Sequence, residues 1–347
     1  METLKMTDVT VVIPAHNAAQ YVRTCLDSVA GQTRLPEEVI IVENGSSDGT
    51  RDACADWIAA HDLQVRLVSL DYGNVSNARN VGCSLATTTL VALLDADDCY
   101  MADFLETSVE AFRLMSDIDL FFGDRMLFDE RTGDLGPALA KSGLRFVYRD
   151  AVTPTVFRLT EGLLEALAAG NFISPSGSVC RRASAYAAGL FNPRLKSSED
   201  REFFFRMAAL GPVAYTPNLV TRYRVHAAST MAVTETVELQ KNALRSIVAI
   251  LADSDQLKLT RSQIQALASV RQVCAGRILS LARRAGFKCL RAEQSWLRGL
   301  NAGGWLRALI WPLTVRVSRF WPRRWRGRSD AVSREGAPSS VPPLSPQ

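Results

Sequence analysis

The chain has 347 residues, of which 47% are hydrophobic, and a formal net charge of +4. This length allows one large domain or two smaller ones, with a sizeable core. The small net charge gives no general argument for nucleic acid, and we expect no nucleic acid partner. The seven cysteines show no Cys-x-x-Cys spacing, which indicates buried thiols in a reducing compartment, not disulfides or a zinc site.

Neither a targeting segment nor a membrane span is expected. Residues 1–8 lack the apolar stretch of a secretory signal, and no uninterrupted apolar run reaches the length of a membrane span. We therefore expect a cytoplasmic protein, with a peripheral position on the inner face of the cell membrane left open.

Strands alternate with helices four times in the first hundred residues. Short apolar or β-branched runs predict the strands, and amphipathic spacing predicts the helices between them. The predicted strands are Thr10–Ile13, Val39–Val42, Val65–Leu70 and Leu90–Leu94. The alternation favours a parallel sheet with right-handed crossovers, covered by helices.

Polar residues follow the carboxyl end of each predicted strand. They are His16 and Asn17, Glu43 and Asn44, Asp71, and Asp95 with Asp97. Because ligands bind outside the carboxyl ends of parallel strands, we expect these residues to share one site. The chain has no Gly-x-Gly-x-x-Gly turn after its first strand, no P-loop and no Gly-x-Ser-x-Gly elbow, which argues against the folds that use them.

The segment Asp95-Ala96-Asp97-Asp98 ends the fourth strand with three carboxylates. Carboxylates this close repel one another and need a cation or water nearby. Mg²⁺ and Mn²⁺ prefer oxygen ligands, and substrate phosphates often complete their coordination. The pattern predicts a metal-diphosphate site, while a polar turn that caps the next helix explains an isolated Asp-x-Asp equally well. A calcium loop is excluded because Tyr100 stands where the sharp turn requires glycine.

Four motifs together resemble the family 2 glycosyltransferases. In chain order they are VIPAHN at 12–17, VENGSSDGT at 42–50, ARNVG at 78–82 and DADD at 95–98. The resemblance extends over roughly residues 8 to 230. It implies the GT-A fold, a mostly parallel α/β sheet flanked by helices with a Rossmann-like nucleotide-binding half. It also implies inverting chemistry on a nucleotide-sugar donor with a divalent metal, Mn²⁺ or Mg²⁺.

The resemblance implies roles for individual residues. The expected nucleotide-binding residues are Pro14, Ala15, Asn17, Glu43, Asn44, Ser46, Asp71, Arg79, Asp95 and His226. The expected metal ligands are Asp97, Asp95 and His226, although a structural role for this lone histidine stays open. Asn44 stands where the family often has a second aspartate, and an amide bonds a base edge without charge, so the nucleobase is left open.

The segment Ser-Ser-Glu-Asp at 197–200 begins a predicted helix that continues through Met207. A serine cap and acids in the first turn explain it as an ordinary helix start. The resemblance implies instead that Glu199 and Asp200 are catalytic, with Asp200 as the general base. The two interpretations are compatible, because one carboxylate can cap the helix while the other reacts.

The remaining elements are less regular. A helix is predicted over Met101–Met115 and strands over Asp119–Phe122 and Met126–Phe128, whereas the pattern is poor over 135–160, where the family varies its acceptor-facing loops. Further helices are predicted over 240–252 and 262–284, the second with a capping box of Thr260 and Gln263.

Trp and Arg residues interleave over 305–328, which suits either an anionic membrane surface or a helix packed on the catalytic part. The predicted domains are a catalytic domain at 1–230, a helical extension at 231–328 and a disordered Pro- and Ser-rich tail at 329–347.

We therefore expect an inverting glycosyltransferase. It would move a sugar from a nucleoside-diphosphate sugar to a hydroxyl of a glycan or lipid-linked acceptor, such as a cell-surface glycan or polysaccharide precursor. Two alternatives stay open. One is a nucleotide-sugar-binding module without turnover, and the other is a membrane-surface adaptor that acts through its helical tail.

Overall fold

A mixed sheet of eleven strands lies at the centre of the computed structural model, which describes residues 8–71, 74–226 and 236–300. The strands are β1 (Val9–Ala15), β2 (Glu38–Asn44), β3 (Val65–Leu70), β4 (Leu90–Leu93), β5 (Cys99–Tyr100), β6 (Leu120–Asp129), β7 (Gly133–Pro137), β8 (Arg149–Ala151), β9 (Phe157–Leu159), β10 (Ser178–Arg181) and β11 (Val213–Arg224).

Helices cover the sheet and continue beyond it. They are α1 (Val22–Ala30), α2 (Thr50–Ala60), α3 (Val75–Leu85), α4 (Phe104–Leu114), α5 (Leu163–Ala169), α6 (Arg182–Ala187), α7 (Glu199–Leu210), α8 (Val237–Ala252), α9 (Arg261–Arg284) and α10 (Phe287–Gly299).

The four predicted strands form a parallel half-sheet in the order β3-β2-β1-β4, which confirms the expected architecture. Every residue of β1, β2 and β4 is buried, as expected for apolar strands covered on both faces, while β3 at the edge is partly exposed. Ala15 pairs with Glu43 and Val12 with Leu93, so the carboxyl ends of these strands lie side by side.

The other half of the sheet is mixed, and most of it was not predicted. From β4 the order continues β10-β6-β11-β9-β8, and β6 runs parallel to β11 but antiparallel to β10. The two short predicted strands at 119–122 and 126–128 are one long strand, β6. Strands β8, β9 and β10 have only three or four residues each, too few to show an alternation in the sequence.

Helix α3 packs unusually close to β1. A Cβ atom added at Gly82 would lie 2.2 Å from Cγ1 of Val12. The glycine of the ARNVG motif therefore allows the helix to approach the sheet, which sets the position of Arg79 one turn earlier.

The predicted C-terminal helices are present. They are α8 and α9, and the capping box of Thr260 and Gln263 forms at the start of α9. Helix α8 packs against α7, and α9 packs against α5, where the hydroxyl of Ser262 lies 3.2 Å from a carboxylate oxygen of Glu165. None of the described helices is long and apolar enough to cross a membrane. The predictions for 305–328 and 329–347 lie outside the described residues.

The seven cysteines are free thiols, as predicted. Five of them are buried, and Cys99 and Cys289 are partly exposed.

Candidate functional site

The loops that follow β1 and β2 are bonded to each other. His16 Nδ1 lies 2.8 Å from the carbonyl oxygen of Asn44, and the Asn17 N–H donates to the hydroxyl of Ser46 at 3.1 Å. The side-chain oxygen of Asn17 accepts from the N–H of Ser47 at 3.0 Å, with Asn17 itself in a left-handed conformation (φ 49°). These bonds fix the two polar loops as one surface at the edge of the sheet.

Two acidic side chains shape the second loop. Glu43 is buried and accepts from the N–H of Ser46 at 2.6 Å. Asp48 accepts from the N–H of Thr50 at 3.1 Å, so it serves the first turn of α2, although Gly49 occupies the capping position itself. Asn44 is also buried, and within the described residues its side-chain oxygen has no hydrogen-bond partner.

Arg79 connects two acidic motifs that are far apart in the sequence. Its guanidinium lies 2.6 Å from Asp95 Oδ1 and 2.8 Å from Glu199 Oε1, and only 3% of the residue is exposed. Burial opposes the charge of Arg79, but the two carboxylates outweigh it and raise the pKa of the guanidinium. The strand-end carboxylates and the start of α7 are therefore held together by one buried cation.

Polar side chains of α3 hold the loop that leads to α7. Asn80 bonds the backbone of Phe191 twice, donating to its carbonyl at 2.8 Å and accepting from its N–H at 2.9 Å. Asn74 donates to the carbonyl of Pro193 at 3.1 Å and also caps α3. These bonds connect α3, which carries Arg79, to the segment that leads to Glu199.

Asp97 faces the end of β11. Its Oδ2 lies 3.0 Å from His226 Nε2, and the imidazole packs against Tyr21 with ring centroids 5.2 Å apart. Burial and the neighbouring Asp95 raise the pKa of Asp97, and the contact with His226 opposes that shift. Arg224 supports this segment, because its Nε donates to the carbonyl of Asp97 at 2.8 Å and its guanidinium stacks on Tyr21.

Asp98 is buried, unlike its two acidic neighbours. Its Oδ1 accepts from the backbone N–H of Arg224 at 2.8 Å, which joins the acidic segment to β11. Burial and the charges of Asp97 and Asp95 raise its pKa well above the usual range. This third carboxylate therefore has a structural position.

Asp200 lies in the first turn of α7, held by two donors. Asn171 Nδ2 donates to Asp200 Oδ2 at 2.8 Å, and the N–H of Arg201 donates to Oδ1 at 2.7 Å. Burial and the charge of Glu199 raise the pKa of Asp200 to about 6. Ser198 stands at the capping position, but its side chain makes no capping bond. A carboxyl with this pKa is suited to accept a proton near neutral pH.

The donor atoms near Asp97 fit a divalent metal that shares its coordination with a substrate. Asp97 and His226 offer one oxygen and one nitrogen side by side, while one oxygen of Asp95 is bound by Arg79. In the part of the chain that the structure describes, no group of three or more His, Cys, Asp or Glu side chains is placed to hold a metal ion. Metals bound through one or two protein ligands plus substrate phosphates are common for Mg²⁺.

Most of the predicted residues fall into two connected groups, and three residues lie outside them. One group is Asn17, Glu43, Asn44 and Ser46, and the other is Arg79, Asp95, Asp97, Glu199, Asp200 and His226. Pro14 and Ala15 are buried at the end of β1, beside β2. Asp71 is exposed directly after β3, whose Leu70 pairs with Asn44, and the structure records no side-chain contact for Asp71 with either group.

Sequence reasoning missed three supporting residues. Asn171 holds Asp200, Ser176 accepts from the N–H of Asp95 at 3.0 Å, and Glu130 pairs with Arg224. Asn171 lies 29 residues before Asp200 in an irregular loop, where no spacing or motif indicates a function.

Comparison with known proteins finds similarity to glycosyltransferases, in sequence and in fold. The family model for glycosyl transferase family 2 matches residues 10–156. An uncharacterised glycosyltransferase of Rickettsia felis is 24% identical over 220 residues, which are 63% of this chain but 34% of that protein. The chain thus spans about a third of that relative's length.

Solved structures show the same fold. The crystal structure of S. aureus TarS superposes with a TM-score of 0.60 at 19% identity, over 90% of this chain and 50% of that one. Its 1–349 fragment in complex with UDP-GlcNAc gives a TM-score of 0.54 at 16% identity, over 84% of this chain and 92% of that one. A mannosyltransferase from Pyrobaculum calidifontis, in complex with GDP-Man and Mn²⁺, gives a TM-score of 0.51 at 18% identity, over 87% of this chain and 86% of that one.

The chain therefore has the GT-A fold, and its residues 10–156 carry the sequence features of glycosyl transferase family 2.

Proposed function

We propose that the protein is an inverting glycosyltransferase that moves a sugar from a nucleoside-diphosphate sugar to an acceptor hydroxyl. The observation that carries this proposal is the position of Arg79, which joins Asp95 of the strand-end motif to Glu199, the neighbour of the candidate base Asp200. A donor diphosphate bound at the strand end would therefore have its reacting carbon close to a carboxylate that can accept a proton. The catalytic domain extends over about residues 1–230 in this proposal, with α8–α10 as a helical extension.

The donor nucleotide is proposed to bind at the bonded loops after β1 and β2. These loops contain Pro14, Ala15, Asn17, Glu43, Asn44 and Ser46, with Asp71 at the end of the next strand. The structural neighbours solved in complex with UDP-GlcNAc and with GDP-Man support a nucleotide-sugar as the donor. The base and the sugar of this chain's donor are left to experiment.

Asp97 and His226 would hold the metal, with Asp95 beside them through the oxygen that Arg79 does not bind. A bound Mn²⁺ or Mg²⁺ would offset the charge that develops on the leaving diphosphate. The Mn²⁺ in the mannosyltransferase complex supports a metal at this fold. Arg79 is expected to add positive charge near the same phosphates.

Asp200 supplies the proton chemistry in this proposal. The acceptor oxygen attacks the anomeric carbon, the bond from that carbon to the diphosphate oxygen breaks, and the hydroxyl proton passes to Asp200. Asn171 and the N–H of Arg201 hold both carboxylate oxygens, so the side chain is oriented before the acceptor arrives. One displacement of this kind inverts the anomeric configuration.

The pH profile reports the state of Asp200. Because only the carboxylate can accept a proton and its pKa is raised to about 6, kcat/KM should rise about tenfold per pH unit below pH 6 and level off above it. Initial rates measured from pH 4.5 to 8.5 with saturating metal check this, and thermal unfolding at each pH serves as the control. A flat profile through pH 6 in the folded protein would exclude Asp200 as the base.

The direct test of donor binding is a panel of nucleotide-sugars. Thermal unfolding of the full-length chain is measured with UDP-, GDP-, TDP- and ADP-linked sugars, each with Mn²⁺ and with chelator. We expect one base to raise the melting temperature in the presence of metal only. No stabilisation by any member of the panel would contradict the proposed function.

We also propose that residues 305–328 bind an anionic membrane surface, which would bring the enzyme to a lipid-linked acceptor. The support is the interleaved Trp and Arg sequence, since each basic residue near such a surface contributes about 1 kcal/mol. The full chain should sediment with anionic liposomes. High salt should weaken this binding, but a salt-resistant fraction of the protein should stay bound. A version that ends at residue 301 should stay in the supernatant, and equal sedimentation of both versions would refute the proposal.

A further inference from the structure

Arg125 on β6 is a positively charged side chain close to the candidate base. Its Nη1 donates to the carbonyl of Phe172 at 3.1 Å, and its guanidinium lies 5.6 Å from the ring centre of Tyr223. Asn171, which holds Asp200, directly precedes Phe172. Consecutive residues of one loop thus hold the base and this guanidinium.

No carboxylate neutralises Arg125 directly. Within the described residues it takes part in none of the ion pairs, although Asp124, Asp200 and Asp98 lie near enough to influence its charge. Burial lowers the pKa of Arg125, and these more distant carboxylates only partly oppose that shift.

The neighbouring carboxylates are occupied by other donors. Asp124 Oδ1 accepts from the N–H of Arg125 itself at 2.7 Å and from the N–H of Leu139 at 2.9 Å. Asp98 bonds the backbone of Arg224, and Asp200 bonds Asn171 and the backbone of Arg201. The negative charges of these three carboxylates therefore favour the charged form of Arg125, but the carboxylates do not accept hydrogen bonds from its guanidinium.

Most of the donors of Arg125 therefore have no partner. A guanidinium has five N–H groups, and in the described part of the chain a single hydrogen bond uses one of them. Its Nε is buried without a partner. A buried donor without a partner is costly unless an acceptor meets it during function, and the partial exposure of the side chain leaves room for one.

We propose that Arg125, which lies over the ring of Tyr223, binds an anionic group of the acceptor, a phosphate or a carboxylate. The planar guanidinium suits both groups because it can donate two parallel hydrogen bonds to them. This inference rests on the proposed function, since it places the anion next to the hydroxyl that Asp200 deprotonates. It narrows the acceptor to a class of charged glycans or phosphate-bearing polymers.

The test uses small probes on the full-length chain, saturated with Mn²⁺ and the nucleoside diphosphate that stabilises it most. Glycerol 3-phosphate and glucuronate are compared with glycerol and glucose by calorimetry at constant ionic strength. We expect one anionic probe to bind about tenfold or more tightly than its neutral counterpart. The tighter of the two anions identifies phosphate or carboxylate as the natural group.

Variants assign this preference to the residue. Arg125→Gln should abolish it, and Arg125→Lys should keep part of it because the charge remains without the planar fork. Arg222→Gln is the matched control, since it removes the same charge from an exposed arginine. Arg222 lies on β11, two positions before Arg224, and pairs with Asp134. The control should retain the full preference.

Several results would overturn the inference. Equal binding of the charged and neutral probes by the wild type would by itself overturn the inference, whatever the variants show. A preference unchanged in Arg125→Gln, with only a lower melting temperature, would show a structural role. Displacement of the probe by the nucleotide would place the arginine in the donor site. If the wild type shows no metal-dependent nucleotide binding, the proposed function is refuted, and this inference with it. Metal-dependent nucleotide binding without a preference for the anionic probes would refute this inference alone.

Discussion

Asp200→Asn should lower kcat by about 10²–10⁴-fold while donor affinity changes only a few-fold. The amide is nearly the same size as the carboxylate, and its single oxygen can still accept from one of the two donors, Asn171 or the N–H of Arg201, so we expect α7 to remain folded. It cannot accept a proton at neutral pH, and the loss therefore falls on the chemical step. Steady-state rates at saturating donor and a separate binding titration with the nucleoside diphosphate make this measurement.

The matched control for Asp200 is Asp255→Asn. Asp255 is exposed just after α8 and undergoes the same chemical change. It should leave both kcat and donor affinity at the wild-type values. If Asp200→Asn loses donor binding and keeps its rate at saturation, Asp200 belongs to the donor site and is not the base.

Asp97→Asn should abolish most of the metal-dependent affinity for the nucleoside diphosphate and lower transfer by about 10²-fold or more. The reason is that metal stabilisation of developing charge contributes several kcal/mol, and each 1.36 kcal/mol is a factor of ten in rate. The neutral amide is a weaker ligand than the carboxylate but can still bond His226, which lies 3.0 Å away. Calorimetry with and without Mn²⁺ separates the metal-dependent part of binding from the rest.

An exposed aspartate again provides the comparison. Asp62→Asn changes a carboxylate in the loop before β3 and should bind nucleotide with unchanged metal dependence. Retention of Mn²⁺-dependent binding in Asp97→Asn, in a folded protein, would remove Asp97 from the metal site.

The parallel half of the fold could be predicted because its signals are local. Each strand is a short apolar run such as Leu90–Leu94, each ends on polar residues, and parallel pairing brings those ends to one edge. The second half could not be predicted in this way. Strand β10 enters the sheet between β4 and β6 with only four residues, and nothing in so short a run indicates its neighbours.

The residues of the site could be nominated from sequence, but their connections could not. Arg79 and Glu199 are 120 positions apart, and a motif gives no information on which carboxylate a guanidinium will pair with. The sequence places Arg79 in a nucleotide-binding role, whereas the structure also gives it a structural role between Asp95 and Glu199. Asn171 and Arg125 had no signal at all, because their importance comes only from side chains packed beside them in three dimensions.

The measurement that tests the central proposal most directly is turnover of the donor. The full-length chain is incubated with the nucleotide-sugar that stabilises it best, with Mn²⁺ and a panel of neutral and anionic acceptors, and release of nucleoside diphosphate is followed together with the anomeric configuration of the product. We predict metal-dependent release, a product of inverted configuration, and loss of both in Asp200→Asn. Tight donor binding with no release for any acceptor would contradict the proposal and identify a binding module instead.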